Sequence, residues 1–161
     1  MATFTSSRKG GTTGHGIGNN DRIFVQTVEI DLAEVQAANP TFASGDLITA
    51  LAIPADSLLL SLDAEVTEAI TSDGTSETVN IGDTGDDDRF VAAATTLTAG
   101  TVLTQELTTN PLNRYSAADA LNIKFSATTS VANLAGKINI TAVFIDCTPR
   151  NKADYPATVN V

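Results

Sequence analysis

The sequence contains no tryptophan, a single cysteine and only 5% aromatic residues, and each shortage argues against a class of function. With so few aromatic rings, the chain offers little surface on which sugars or bases could stack, which argues against a lectin-like or RNA-binding protein. The single cysteine, Cys147, cannot form a disulfide within the chain. Because it ends an apolar alternating run, we expect it to be a small buried side chain rather than a reactive thiol.

Long apolar segments are missing as well. The N-terminus has no apolar stretch of the kind found in signal peptides, and no apolar run approaches the roughly 20 residues of a membrane helix. We therefore expect a protein that is made and kept in a reducing cytoplasm, or in a particle assembled there, and that has no membrane partner.

The net charge of −10 is unevenly distributed. Residues 1–22 carry three bases against one acid, a net of +2, and residues 149–161 carry two bases against one acid, a net of +1. Residues 23–148 carry 17 acids against 4 bases, a net of −13. The basic residues of the two ends are Arg8, Lys9, Arg22, Arg150 and Lys152. They are too few to bind nucleic acid beside an acidic body, but they could be attracted to an acidic protein surface.

The arrangement of apolar residues predicts an all-β fold. Short runs with a period of two residues recur between turn signals, as in Leu121-Asn122-Ile123-Lys124-Phe125, and long helical patterns are missing. We predict an antiparallel β-sandwich over residues 23–148, jelly-roll-like or immunoglobulin-like, with a strand order that the pattern does not determine. The Gly-rich segment 1–22 is predicted to be a flexible arm, and residues 149–161 an extended tail.

Three local predictions follow from the same patterns. One long strand should direct the same side of its chain into the core at Leu58, Leu60, Leu62, Ala64, Val66 and Ile70. The segment from Asp46 to Pro54 has few polar residues, so it should be covered on both faces. The Asp-Gly pair in Ser72–Thr75 is typical of a tight β-hairpin.

Catalytic patterns are weak. The only histidine, His15, lies in the string Gly14-His15-Gly16-Ile17-Gly18, which lacks the strand before it and the helix after it that a phosphate-binding loop needs. Asp63 and Glu65 share one side of a strand, but their pattern is typical of the solvated face of a sheet rather than of a glycosidase pair. We therefore expect no enzyme and no cofactor.

The acidic segment Gly82-Asp83-Thr84-Gly85-Asp86-Asp87-Asp88 leaves two interpretations open. Asp83, Asp86 and Asp88 could supply oxygen ligands to a calcium ion, although the spacing fits no standard calcium loop and no glutamate closes it. Alternatively, the aspartates could cap backbone amides in a solvated turn, with Arg89 neutralising part of their charge.

Part of this sequence resembles a pattern found in virion proteins of tailed bacteriophages. The likeness is carried by Leu58–Ile70, Val79–Asp83 and Asp86–Phe90, where an apolar strand precedes a turn, a short strand and an Asp-rich segment. The resemblance implies a small β-sandwich that decorates and cements the outer surface of a phage capsid. It further implies a homotrimer, assembled in the host cytoplasm, that bridges neighbouring major capsid protein subunits with its basic ends and has no catalytic residues.

Two other roles remain compatible with the sequence. The chain could be another structural part of a virion, such as a head fibre base, a neck component or a tail component. It could also be a carbohydrate-binding β-sandwich of a fibre, although the absence of tryptophan argues against this.

Overall fold

The computed structural model describes residues 23–105, 112–128 and 130–147. Within these residues the chain forms nine strands and one short helix. In chain order they are β1 (Ile23–Asp31), α1 (Leu32–Ala38), β2 (Leu47–Ile53), β3 (Ser57–Thr71), β4 (Thr75–Gly82), β5 (Val91–Ala94), β6 (Val102–Thr104), β7 (Arg114–Tyr115), β8 (Asp119–Thr128) and β9 (Ala135–Asp146). The bases Arg8, Lys9, Arg22, Arg150 and Lys152, together with His15, lie outside the described residues.

The strands form two antiparallel sheets. The first has the order β1-β9-β3-β6, with β7 also pairing with β3, and the second has the order β2-β8-β4-β5. The pairs are nested along the chain, because β1 pairs with β9, β2 with β8, β3 with β6 and β4 with β5. A long hairpin rolled up in this way is a jelly roll. The predicted all-β sandwich is confirmed.

The core lies between the sheets and is built by residues that alternate along each strand. In β8, Leu121, Ile123 and Phe125 are fully buried, as their spacing predicts. Phe144 in β9 is also buried, and it stacks on Phe24 in the neighbouring strand β1 with ring centroids 5.3 Å apart. Aromatic and branched side chains that alternate in this way therefore hold the two sheets together.

The predicted inward face of β3 is wrong at its start. Leu59 is fully buried, whereas Leu58 and Leu60 are half-buried. The pairing of β3 with β9 shifts register between Leu59 and Ser61, so one extra residue separates the inward positions. A bulge of this kind reverses the face on which every following residue lies. From Leu62 onward the predicted alternation holds.

A second bulge corrects the prediction for Asp46 to Pro54. The pairing of β2 with β8 shifts register between Thr49 and Leu51, and the consecutive residues Ala50 and Leu51 are both buried. The strand is not covered on both faces, because Leu47, Thr49 and Ala52 are exposed. The segment has apolar residues at both odd and even positions because the bulge switches which positions point into the core, not because both faces of the strand are covered.

The Ser72–Thr75 segment is not a hairpin. It connects β3 in the first sheet to β4 in the second, and Gly74 lacks the positive φ that the predicted type I′ turn requires. Glycine is needed here for space, since a Cβ at Gly74 would collide with the carbonyl oxygen of Ser130. Asp73 instead joins the loop before β9, where Asn133 Nδ2 donates to Asp73 Oδ2 at 2.8 Å.

The helix α1 is short and capped. Asp31 Oδ1 accepts hydrogen bonds from the amides of Ala33 (3.0 Å) and Glu34 (3.3 Å), and the helix ends at Asn39, before Pro40. No helix among the described residues is long and apolar enough to cross a membrane.

Candidate functional site

The outward face of the first sheet carries a group of carboxylates at one end. Glu29, Asp63 and Glu65 are exposed on this face, and the strand register aligns Glu29 with Asn139 and Asn139 with Glu65. Adjacent strands lie about 5 Å apart, so Glu29 and Glu65 lie about 10 Å apart on either side of Asn139, and together with Asp63 they make this end of the face acidic. The exposure of Asp63 and Glu65 confirms that they belong to a solvated sheet face.

One lysine partly neutralises this acidic surface. Lys137 Nζ lies 3.6 Å from Asp31 Oδ2 and 3.8 Å from Glu68 Oε2. The charges of Asp31, Glu68 and Glu29 raise the pKa of Lys137, in that order of effect. The lysine therefore stays charged, while the face as a whole remains acidic.

The other end of the same face is apolar. We call the outward side chains of Ile23, Val25, Leu58, Val143 and Ile145 the corner patch. Ile23 is paired with Ile145 and Ile145 with Leu58, so one apolar row crosses three strands. Ile23 is 56% exposed and Val25 is 45% exposed, while the other three residues are half-buried. No member of the patch carries a charge.

Both ends of the chain meet the body at the corner patch. Ile23 follows residues 1–22 directly, and β9 ends one residue before Cys147, whose amide donates to the Asp56 carbonyl at 2.6 Å. The side chain of Cys147 is half-buried, so the prediction of a buried residue was too strong. Any arm or tail of this protein therefore starts beside an exposed apolar surface.

The sequence analysis missed the corner patch, although a signal was present. Ile23, Phe24 and Val25 are consecutive and apolar, so a strand must direct at least one of them away from the core. The structure places Phe24 against Phe144 and leaves its two neighbours outside.

The acidic loop between β4 and β5 is organised by a buried aspartate. Asp83 is 3% exposed, and its Oδ1 accepts hydrogen bonds from the amides of Gly85 and Asp86, both at 3.0 Å. Its Oδ2 accepts a hydrogen bond from Tyr115 Oη at 2.9 Å and lies 2.6 Å from Arg89 Nε. Asp83 therefore caps the turn and ties it to β7, which fits the interpretation of the aspartates as turn caps.

The Tyr115 hydroxyl is the partner that the sequence analysis did not identify. Burial raises the pKa of Tyr115 well above its usual value, and the hydrogen bond to Asp83 raises it further, while Asn113 acts in the opposite direction. Tyr115 and Asp83 are 32 residues apart. No local pattern could have paired them.

The other aspartates of the acidic loop are less buried: Asp86 and Asp87 are half-buried, and Asp88 is exposed. The pKa of Asp88 is raised by a hydrogen bond with the Asp86 carboxyl, by partial desolvation and by the charges of Asp86 and Asp87. Asp87 forms an ion pair with Lys124 at 2.6 Å. Within the part of the chain that the structure describes, no three acidic, histidine or cysteine side chains converge on a position suited to a metal ion. The structure brings Asp86 and Asp88 together but commits Asp83 to Tyr115 and Arg89.

A cavity of about 450 Å³ lies between the α1 region and the loop before β9. Gln36 Nε2 donates to the Val131 carbonyl at 2.7 Å, and Gln36 Oε1 accepts from the Leu134 amide at 2.9 Å. Ser44 Oγ donates to the Ala127 carbonyl at 3.0 Å. No lining side chain is titratable; the lining residues are Gln36, Pro40, Phe42, Ala43, Ser44, Ala127, Ser130, Val131 and Ala132. These polar side chains hold loops together rather than offering a general acid or base.

Comparison with known proteins gives a likeness of fold. No protein-family model matches the chain, and no curated protein matches it. A chain from the capsid of Ralstonia phage GP4 matches with a TM-score of 0.58 and 17% identity, over 88% of this chain and 96% of that chain. A chain from the cyanophage Pam1 capsid asymmetric unit matches with a TM-score of 0.56 and 21% identity, over 88% and 96%.

A third match comes from the acidic stable capsid of Helicobacter pylori bacteriophage KHP30, with a TM-score of 0.54 and 10% identity, over 90% of this chain and 93% of that chain. At these identities the matches show a shared fold alone. The described jelly roll is the fold of three chains that occur in phage capsids and are similar in extent to this one.

Proposed function

We propose that this protein is a structural component of a bacteriophage virion that decorates and cements the outer surface of the capsid. In this role it bridges neighbouring major capsid protein subunits and performs no catalysis. The observation that carries the proposal is the match with chains of three phage capsids, which covers 88–90% of this chain and 93–96% of each matched chain.

The distribution of charge and apolar surface supports a role in attachment. Residues 1–22 and 149–161 hold the five bases Arg8, Lys9, Arg22, Arg150 and Lys152, which we propose contact acidic surfaces of the shell. Both segments join the body beside the corner patch, so their bases would contact the shell near the same end of the first sheet. The acidic end of the same sheet would stay in solvent and keep neighbouring copies from aggregating.

In a trimer, the weak contacts of each single arm would together be sufficient for stable attachment. An exposed ion pair contributes only about 0.2–1 kcal/mol, so a single arm with three bases would bind weakly. Three linked arms bind far more tightly, because the second and third contacts form at a high effective concentration. We therefore propose a homotrimer that assembles in the host cytoplasm and then attaches to the capsid.

The experiment is a binding assay on capsids that lack this protein. The full chain, a chain without residues 1–22 and a chain without residues 1–7 are each mixed with such capsids, and the bound fraction is measured by sedimentation. The shorter deletion is the matched control, because it removes chain length but none of the bases. We expect the shorter deletion to bind like the full chain and the longer deletion to lose binding. Saturation of capsids by the chain without residues 1–22 would contradict the arm mechanism.

A further inference from the structure

The C-terminal heptapeptide has the pattern of a β-strand with one apolar side. In Tyr155-Pro156-Ala157-Thr158-Val159-Asn160-Val161, apolar residues occupy the first, third, fifth and seventh positions, and Thr158 and Asn160 lie between them. A proline is tolerated in a strand at the edge of a sheet, where its missing N–H is not needed for pairing. This segment lies outside the described residues; as a strand, it would be stabilised beside another apolar surface.

The corner patch is such a surface, and it borders an unpaired strand edge. Among the described residues, β1 pairs with β9 on one side and with no strand on the other. Natural edge strands usually carry charges that discourage further pairing. The outward residues in the first half of β1 are Ile23, Val25 and Thr27, and none is charged. This edge is therefore open to an added segment.

The point at which the C-terminal residues leave the body favours them as the segment that docks at this edge. β9 ends at Asp146, directly beside the patch residue Ile145, so the following residues start at the patch. The connecting residues 148–154 can span at most roughly 25 Å, and the free edge of β1 lies only about 10 Å from β9. Tethering at this distance gives an effective concentration in the millimolar range. A segment of a second copy would have to reach a millimolar concentration to compete with the tethered segment.

We propose that residues 155–161 add to the free edge of β1 in their own chain, so that Tyr155, Val159 and Val161 pack beside Ile23 and Val25 on the outward face. Docking would close an edge that could otherwise recruit other strands. It would also keep Arg150 and Lys152 in the connection near the entry of the N-terminal segment. The contact is intramolecular, so it does not depend on whether the protein binds a capsid.

Tyrosine fluorescence of the intact chain provides a direct test. The chain has no tryptophan and two tyrosines, so the difference between the wild type and Tyr155→Phe reports Tyr155. The accessibility of Tyr155 to acrylamide is then compared in Val25→Asp and Val102→Asp chains, each with its own Tyr155→Phe reference. The two valines are matched, because both are exposed on the outward face of the same sheet, 45% and 55%, but at opposite edges.

We expect Val25→Asp to weaken docking at least about tenfold, since burying a valine is favourable and burying a carboxylate is not, and therefore to raise quenching of Tyr155. Val102→Asp should quench like the wild type. Equal quenching in all three chains would overturn the proposal. Shielding of Tyr155 that grows with protein concentration would overturn it too, because the contact would then be between copies.

Hydrogen exchange keeps the test independent of the aspartate variants. The amides of β1 should exchange more slowly in the full chain than in a chain that ends at Asp154, while those of β6, at the opposite edge, should be unchanged. Unchanged exchange in β1 would contradict docking along its edge. Failure of the capsid-binding assay would leave both measurements unaffected, so the two proposals can fail separately.

Discussion

Replacing Asp83 with alanine should destabilise the protein by about 3 kcal/mol. The substitution leaves the buried Tyr115 hydroxyl without its acceptor, which costs about 1–3 kcal/mol. Loss of the two amide hydrogen bonds from Gly85 and Asp86 should cost about 1 kcal/mol, since that turn can be partly hydrated. Arg89 adds at most about 1 kcal/mol, because its side chain is 31% exposed and can return to water.

The assay is urea unfolding, followed by far-ultraviolet circular dichroism. In a thermal unfolding experiment, the same loss of about 3 kcal/mol would lower Tm by roughly 6–12 °C for a chain of this size. Asp87→Ala is the matched control, because Asp87 lies in the same loop and pairs with Lys124 at the same 2.6 Å, but its side chain is 37% exposed, whereas that of Asp83 is 3% exposed. It should cost less than about 1 kcal/mol. Equal losses for the two variants would refute the assignment of Asp83 as the buried organiser of the loop.

A double-mutant cycle tests whether the larger part of the stability lost in Asp83→Ala comes from the Tyr115 hydroxyl. Tyr115→Phe alone should cost about 1 kcal/mol, since it removes one hydrogen bond without leaving a buried group unpaired. Combined with Asp83→Ala, it should cost less than the sum of the single losses, because the unpaired hydroxyl is gone. Simple additivity would show that Asp83 and Tyr115 act independently.

Three further predictions concern the body of the protein. The pKa of Tyr115 in the folded protein is raised above its unfolded value of 10.0, so the stability that Tyr115 contributes is complete below that pH and is lost as the pH rises above it. In urea unfolding, the free energy of unfolding should therefore fall more steeply above about pH 10 in the wild type than in Tyr115→Phe. Parallel curves for the two proteins would contradict this. Gly136→Ala should cost about 2 kcal/mol in urea unfolding, because Gly136 has φ +109° and a Cβ would approach the Ala69 carbonyl oxygen to 2.5 Å; a neutral result would refute the close approach. Phe144→Ala should cost about 3–5 kcal/mol, since Phe144 is buried and stacks on Phe24; a loss below that of Ile→Val substitutions elsewhere in the core would contradict the position of the core.

The fold class could be predicted from the sequence because regular alternation reports burial directly. Leu121, Ile123 and Phe125 lie where their period of two places them. The errors came from features that one residue decides: the bulge near Leu60 and the bulge after Thr49 each reverse the faces of a strand without a change in composition. The Asp-Gly pair at residues 73–74 was misread because local turn chemistry does not reveal to which sheet the next strand belongs.

The candidate site was less accessible to prediction than the fold. The solvated acidic face around Asp63 and Glu65 is a local pattern and was predicted. The contact of Asp83 with Tyr115 joins residues from separate strands and depends on the nested pairing of the jelly roll. The corner patch likewise forms only when β1, β9 and β3 become neighbours, because its members come from all three strands.

The proposed cementing role on a phage capsid is tested most directly by counting copies of this protein in intact phage particles purified from cells that produce it. Peptides of this chain and of the major capsid protein would be quantified together by mass spectrometry against labelled standards. The account predicts a copy number of the same order as that of the major capsid protein, in a fixed ratio to it. A handful of copies per particle would assign the protein to a vertex, neck or tail, and its absence from the particle would contradict the account altogether.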